Sequence, residues 1–265
     1  MTPPSRPTRL RVVSWNIRRG GRRRRALLAR VLHDLAPDLT LLQEAIDPEV
    51  VASLAEAADA VVVAATPGRS VAVLARERIG PVDVRRHAMP GARDVVEAVF
   101  PDLELRVVAV HLSAGLSGRP ERRRVAEVDR LLAIAEPPPG PDRTMIAGDL
   151  NAIAPGELPV VSRLPMWIRF ALRVDGGIGT AAVGRVLAAG YTDAFRHLDP
   201  DDPGATMPAL APTVRLDYLM LGRGLVPGIA GCRVGVGEPS LLAAASDHLP
   251  VALDLDLAPV AAVVA

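Results

Sequence analysis

A carboxylate and a carboxamide stand two residues apart at Asp149 and Asn151, directly after the apolar run 145–147 and a glycine. The run predicts a buried strand, and side chains at positions i and i+2 of an extended backbone point to the same side. An aspartate can bind a hard cation or accept a proton from water, and an asparagine can hydrogen-bond a phosphoryl oxygen. Alone, the D-x-N pattern is more typical of a turn than of a site.

Other polar residues share this placement at the ends of apolar runs, namely Asn16, Glu44, His111, Asp247 and His248. If these runs end at one rim of a sheet, their carboxylates converge and repel one another unless a cation lies between them. Oxygen ligands of this kind favour Mg²⁺ or Mn²⁺ over Zn²⁺. The pattern therefore predicts an acidic pocket that contains two histidines and a divalent cation.

The elements that would position these residues are short strands and amphipathic helices. Apolar periodicity predicts helices over 22–35, 48–60, 119–136 and 181–189. Because many strands look like hairpin neighbours, we expect an α/β fold with a mixed sheet, not a purely parallel one. The predicted strands lie at 10–15, 39–42, 61–65, 70–75, 82–86, 94–100, 103–110, 145–147, 213–221, 231–236 and 251–257.

The bulk composition excludes several classes of protein. The 265 residues are 49% apolar, which is enough for a sizeable core. The net charge is +1, so there is no global attraction to nucleic acid, and apart from histidine every cationic phosphate contact must come from arginine because lysine is absent. The lone Cys232 excludes an intrachain disulfide. With no visible secretory signal and no run long enough to span a membrane, we expect a cytoplasmic protein.

Six short motifs follow one another between residues 10 and 256. They are SWNIR at 14–18, LQE at 42–44, VHL at 110–112, GDLNA at 148–152, RLDY at 215–218 and SDHLP at 246–250. In this order they resemble the endonuclease/exonuclease/phosphatase superfamily, which includes deoxyribonucleases, apurinic endonucleases, neutral sphingomyelinases and inositol polyphosphate phosphatases. The resemblance implies a four-layer α/β/β/α sandwich with two mixed β-sheets and the active site at one rim.

The resemblance also implies a metal and water site. Glu44 would be a metal ligand with Asn16 beside it, and Asp247 would help to position the metal, Mg²⁺ or Mn²⁺. Asp149 would orient or deprotonate the attacking water, and Asn151 would hold the scissile phosphate.

Two histidines and an arginine complete the implied site. His248 would stabilise charge on the phosphoryl group, and Asp217 would fix its tautomer. His111 would protonate the leaving oxygen. Arg18 follows Asn16 by two residues and is the best candidate for a contact with substrate phosphate.

We therefore expect a metal-dependent phosphoester hydrolase of the nuclease or phosphodiesterase type. Nucleic acid, lipid and small phosphoesters all remain open as substrates, which leaves a sphingomyelinase-like or phosphatase-like activity as an alternative. A non-catalytic binding module on the same fold is a third hypothesis. The six motifs do not decide among these substrates.

We expect a monomer with a disordered lead-in at 1–8, a single catalytic domain at 9–258 and a short apolar tail at 259–265. An amphipathic stretch at 165–174 is either a helix packed on the core, or a lid or an interfacial helix that makes peripheral membrane contact. The arginine runs 22–25 and 122–124 are either solvated starts of helices or phosphate contacts.

Overall fold

The computed structural model describes residues 7–65, 70–89, 94–115, 118–135, 142–157, 166, 170 and 179–257. Within these residues the strands form two six-stranded sheets. In spatial order the first sheet contains β11 (Ile229–Val234), β12 (Val251–Asp256), β1 (Arg9–Asn16), β2 (Leu39–Gln43), β4 (Val71–Ala75) and β3 (Val61–Ala65). The second contains β5 (Asp83–Ala88), β6 (Asp94–Phe100), β7 (Leu105–His111), β8 (Thr144–Asp149), β10 (Asp217–Leu221) and β9 (Thr192–Asp193).

Both sheets are mixed. The pairs β1–β2 and β7–β8 are parallel, and their neighbours in each sheet pair in the antiparallel direction. The two parallel pairs bring the carboxyl ends of β1, β2, β7 and β8 to sheet rims, which is where ligands bind in open α/β sheets.

Helices cover the outer face of each sheet. The first sheet carries α1 (Arg25–Leu35), α2 (Pro48–Ala57) and α6 (Pro239–Ala245), whereas the second carries α3 (Gly118–Ile134) and α4 (Ala181–Ala188). A short helix, α5 (Ala194–Leu198), lies against β10 and β11. This arrangement confirms the predicted α/β/β/α sandwich.

The alternation of side chains along each strand builds these layers. In β1, Val12 joins the core between the sheets, whereas Val13 packs against the helices. In β8, Met145 faces the other sheet and Ile146 faces α3 and α4. β1 and β8 therefore carry apolar side chains on both faces, as is typical of strands covered on both sides.

Several predicted boundaries were wrong. The helix predicted at 22–35 begins with a 3₁₀ turn at Arg22–Arg24, and the strand predicted at 213–221 becomes regular only at Asp217. We did not predict α6, because its seven residues are too few to show helical periodicity. Its true signals are Pro239 at the first helical position and Glu238, whose side chain caps two backbone N–H groups.

Most of the predicted helix at 165–174 lies outside the described residues, as do the tail and residues 1–6. Of that helix only Met166 and Phe170 are described, and both side chains are exposed. The lid and core hypotheses for this stretch thus stay predictions. In the part of the chain that the structure covers, no helix combines the length and apolarity needed to cross a membrane.

Candidate active site

Four of the predicted site residues lie where strands of the two sheets face each other. Asp149 pairs directly with His111 on one side and with Asp217 on the other, across β7, β8 and β10. The side chains of His111, Asp149 and Asp217 point inward, because the residues two positions away on the same strands belong to the core between the sheets. Asn16 points inward in the same way at the end of β1. The strand period therefore brings these polar groups into the gap between the sheets.

Asn16 connects the two sheets by hydrogen bonds. Its Nδ2 donates to Oδ2 of Asp149 at 3.0 Å and to Oε1 of Glu44 at 3.3 Å. Its Oδ1 accepts the backbone N–H of Arg18 at 2.9 Å, which orients the amide with its nitrogen toward the carboxylates. Asn16 is buried, so it fixes the separation between one partly exposed and one buried carboxylate.

A left-handed turn supports the other oxygen of Glu44. Residues 18–21 all have positive φ, at 53° for Arg18, 49° for Arg19, 72° for Gly20 and 67° for Gly21. The left-handed conformation costs about 1–2 kcal/mol for each residue other than glycine. It directs the backbone N–H of Arg19 to Oε2 of Glu44 at 2.5 Å. The strain is thus located where the backbone orients a site carboxylate.

Asn151 is held by the chain beside Asp149. The backbone N–H of Asn151 donates to Oδ1 of Asp149 at 2.8 Å, and its Nδ2 donates to the carbonyl of Leu112 at 3.1 Å. Asn151 also has a positive φ of 49°. The hydrogen bond to Leu112 uses one hydrogen of the amide nitrogen and orients the planar amide. The direction of the second hydrogen is therefore set as well.

His248 and Asp217 form a buried pair. Nδ1 of His248 lies 2.8 Å from Oδ2 of Asp217, and Nε2 lies 4.0 Å from Oδ2 of Asp149. The backbone around His248 is anchored to β1, because Trp15 donates to the carbonyl of His248 and Ser246 donates to the carbonyl of Asn16. The ring therefore presents Nε2 to Asp149.

Burial and neighbouring charges shift two pKa values in this site. Burial raises the pKa of Asp149, as does Asp217, while the two histidines and the Asn16 hydrogen bond oppose the rise. Burial lowers the pKa of His248, but the charge and hydrogen bond of Asp217, together with Asp149 and Asp247, outweigh it and raise the pKa to about 10. His248 is accordingly a cation at neutral pH.

His111 lies on the other side of Asp149. Its Nε2 is 3.6 Å from Oδ2 of Asp149, and its Nδ1 is hydrogen-bonded to the hydroxyl of Ser70. Sequence reasoning missed Ser70, which directly precedes β4 of the facing sheet. A serine at the start of an apolar strand gives no signal of its own.

The predicted arginines have different positions. Nε of Arg18 lies 3.2 Å from Oδ2 of Asp247, and both side chains are partly exposed at the rim. Arg24 is half-buried, and its guanidinium donates to the carbonyls of Ile17, Arg18 and Ala245. It therefore ties the left-handed turn to the end of α6.

The run 122–124 does not provide three free cations. Arg124 is fully buried and donates to Glu121 and to the carbonyls of Ser113 and Gly115. Arg123 pairs with Glu127 on the same helix. Arg124 is thus a structural residue that fixes the loop after β7.

A known family shares this sequence pattern. The profile of the Endonuclease/Exonuclease/phosphatase family matches residues 13–248. The chain belongs to this family. The match begins within β1 and ends at His248, so it covers every strand end that contributes to the site. No curated protein matches the chain.

Solved structures with the fold of this family include two enzymes. An AP endonuclease from Archaeoglobus fulgidus has a TM-score of 0.70 at 18% identity, covering 93% of this chain and 99% of that one. The 3' phosphatase NExo from Neisseria, bound to a product DNA hairpin, has a TM-score of 0.69 at 18% identity with coverages of 93% and 99%. An endonuclease/exonuclease/phosphatase protein from Beutenbergia cavernae has a TM-score of 0.65 at 22% identity, with coverages of 96% and 74%. At these identities the similarity shows the fold alone.

Proposed function

We propose that the protein is a divalent-metal-dependent phosphoester hydrolase whose site lies between the two sheets, with Asp149 acting on the attacking water. The observation that carries this proposal is the hydrogen-bonded series from Glu44 through Asn16 to Asp149, beside the His248–Asp217 pair. Phosphoryl transfer requires positioned groups and neutralised charge more than covalent chemistry from the protein. Membership of the family supports the same reaction class.

Glu44 fits a hard cation. Its carboxylate is partly exposed, and each of its oxygens accepts one hydrogen bond, from Asn16 and from the Arg19 backbone, which leaves lone pairs for a metal. Asp247 is partly exposed nearby, beside Arg18. Glu44 and Asp247 would hold the cation, with Asn16 orienting Glu44 through Nδ2, and a bound Mg²⁺ or Mn²⁺ would neutralise charge on the phosphoryl oxygens.

A second group of potential metal ligands lies beside Glu44 and Asn16. One ligand atom from each of Asp149, Asp217 and His248 lies within 4.8 Å of the others. Asp217 and His248 already form a pair, and the imidazolium supplies positive charge there. The cation is therefore assigned to the Glu44 side of Asp149.

Asp149 is prepared to accept a proton. Its Oδ1 accepts the N–H of Asn151 and its Oδ2 accepts from Asn16, so the carboxylate has one fixed orientation. Burial raises its pKa, with Asp217 adding to the rise, which makes it a better base than a solvent-exposed aspartate. It would orient the water and take its proton.

The neighbouring groups would bind the phosphoryl group and the leaving oxygen. The free amide hydrogen of Asn151 and the imidazolium of His248 would contact phosphoryl oxygens and stabilise the charge that develops there. His111 lies on the opposite side of Asp149 from Asp217, where it would protonate the leaving oxygen. These roles are the ones that the family resemblance implies for the same residues.

Metal dependence tests this proposal. We expect hydrolysis of bis(p-nitrophenyl) phosphate in Mn²⁺ or Mg²⁺ and loss of hydrolysis in EDTA. Glu44→Gln keeps the shape of the side chain but weakens a charged ligand, so it should lower metal affinity in calorimetry by about 10–100-fold. The matched control is Glu56→Gln, which changes an exposed carboxylate on α2.

Three results would contradict the proposal. They are hydrolysis that continues unchanged in EDTA, equal metal affinity in Glu44→Gln and wild type, or absence of hydrolysis with every phosphoester tried. The last result would favour a binding module on this fold. Every motif position at the strand ends carries the residue type that the reaction requires, which argues against that alternative.

A further inference from the structure

A buried carboxylate on α3 holds the loop that follows β7. Glu127 is only 1% exposed, and its two oxygens accept two hydrogen bonds from one residue. The backbone N–H of Ser113 donates to Oε2 at 2.9 Å, and the Ser113 hydroxyl donates to Oε1. Arg123, which is half-exposed on the same helix, pairs with Oε1. Because a carboxylate is costly to bury unless it is hydrogen-bonded, its burial here depends on the contact with Ser113.

The peptide group that joins Leu112 and Ser113 connects this carboxylate to the site. Its N–H donates to Glu127, and its C=O accepts Nδ2 of Asn151 at 3.1 Å. A trans peptide is planar and rigid, and its N–H and C=O point in opposite directions. Glu127 and Asn151 are therefore bonded to opposite ends of one rigid group. A rotation that moves the N–H away from Glu127 also turns the C=O away from Asn151.

Neighbouring hydrogen bonds hold the chain on both sides of this peptide. The N–H of Leu112 donates to the carbonyl of Asp149 at 2.9 Å. On the other side, Arg124 donates to the carbonyl of Ser113 at 2.9 Å. These bonds fix the path of the loop, whereas the bond to Glu127 is made by the N–H of the Leu112–Ser113 peptide itself. The tilt of this peptide thus depends on Glu127.

We propose that Glu127 is a positioning residue, which orients the amide of Asn151 through the Leu112–Ser113 peptide. The inference rests on the proposed function, in which the second hydrogen of this amide contacts a phosphoryl oxygen. That contact is directional, because a hydrogen bond weakens steeply as its angle departs from linearity. Hydrogen bonds in a chain also polarise one another, so the carboxylate strengthens the Leu112 carbonyl as an acceptor. A helix outside the site thereby sets the geometry within it.

Hydrogen exchange of the Asn151 side-chain amide tests this link without any substrate. Glu127→Ala removes the acceptor of the Ser113 N–H, so exchange should become faster by about tenfold, as expected for the loss of one hydrogen bond to a charged group. The measurement is NMR, with the amide signals assigned by their absence in Asn151→Ala. Glu127→Gln should exchange at nearly the wild-type rate, because its amide oxygen accepts the N–H and its amide nitrogen donates to the Ser113 hydroxyl.

A double-mutant cycle tests the consequence for the reaction. For hydrolysis of bis(p-nitrophenyl) phosphate in Mn²⁺, Glu127→Ala should lower kcat/KM on the order of tenfold in the wild-type background. In the Asn151→Ala background it should lower kcat/KM less than about twofold, because no amide is left to orient. A purely structural role would give the same factor in both backgrounds. Glu127→Gln should restore kcat/KM.

Asp38→Ala is the matched control. Asp38 is also a buried carboxylate, but it precedes β2, at the end of that strand away from Glu44, and accepts hydrogen bonds from Arg11 and Arg78. Its loss should lower the melting temperature without changing the exchange of the Asn151 amide, and its effect on kcat/KM should be equal in both backgrounds.

A second variant covers the case in which Glu127→Ala does not fold. Glu127→Asp keeps the charge beside Arg123 but shortens the side chain by one methylene group. It should therefore lose the bond to the Ser113 N–H and change exchange and kcat/KM in the same direction as Glu127→Ala.

The outcomes distinguish this inference from the proposed function. If wild type hydrolyses no phosphoester but exchange of the Asn151 amide depends on Glu127 as described, the proposed function fails and the link from Glu127 to Asn151 stands. The link is overturned if exchange is unchanged in Glu127→Ala and Glu127→Asp, or if Asp38→Ala accelerates it equally. Equal factors in the two backgrounds, or a Glu127→Gln variant as impaired as Glu127→Ala, would also overturn it.

Discussion

At the scale of single residues, the two histidines of the site differ in the hydrogen-bond partner of Nδ1. Nδ1 of His248 is bonded to a buried carboxylate, whereas Nδ1 of His111 is bonded to a serine hydroxyl. A carboxylate partner stabilises the imidazolium. The site therefore places the cation of His248 on one side of Asp149 and the Ser70-bonded ring of His111 on the other.

Asp217→Asn tests the origin of the His248 charge. Removing the opposite charge should lower the pKa of His248 from about 10 by about 1–3 units in the metal-free protein, measured by the NMR titration of its ring protons. Because the folded pKa is raised, the pair stabilises wild type fully below the unfolded pKa of about 6.5 and less as pH rises through about 10. The variant should lose part of this dependence, because its folded pKa lies closer to the unfolded one, and an unchanged titration would contradict the assignment.

At the scale of elements, the close approach of β7 and β8 depends on Gly148. Its φ is 147°, and a Cβ there would lie 1.9 Å from the carbonyl oxygen of Val110. Since the clash is with backbone, Gly148→Ala should lower the free energy of unfolding by about 3 kcal/mol, measured by urea denaturation. Gly156→Ala is the control, because it also has a positive φ but no atom within 4 Å, and should lose about 1 kcal/mol. Equal losses would show that the close approach is unimportant.

The strand ends are also the part of the site that sequence could predict. Asn16, His111 and Asp149 each follow an apolar run, and strand periodicity then fixes the side to which they point. The four-layer architecture was predicted from the family resemblance alone. Apolar residues on both faces of a strand do not indicate which sheet the strand joins. Ser70 and the left-handed turn were not predictable, since both depend on contacts between distant segments.

At the scale of the whole molecule, the core between the sheets isolates Cys232. The thiol is buried, and burial, followed by the charge of Asp193, raises its pKa to about 12. We expect no reaction with Ellman's reagent at pH 8 in the native protein and one equivalent of reaction after unfolding in guanidinium chloride. Rapid reaction of the native protein would indicate that the sheets separate readily in solution.

The same core brings the proposed catalytic residues together. Asn16 belongs to one sheet and Asp149 to the other, so the site exists only when the two sheets pack in register. The most direct measurement is therefore the rate of bis(p-nitrophenyl) phosphate hydrolysis in Mn²⁺ by Asp149→Asn, with the exposed Asp129→Asn on α3 as the matched control. We predict a loss of about 10²–10⁴-fold for Asp149→Asn at unchanged far-ultraviolet circular dichroism, and no loss for the control. Equal rates in wild type and Asp149→Asn would contradict the assignment of the site.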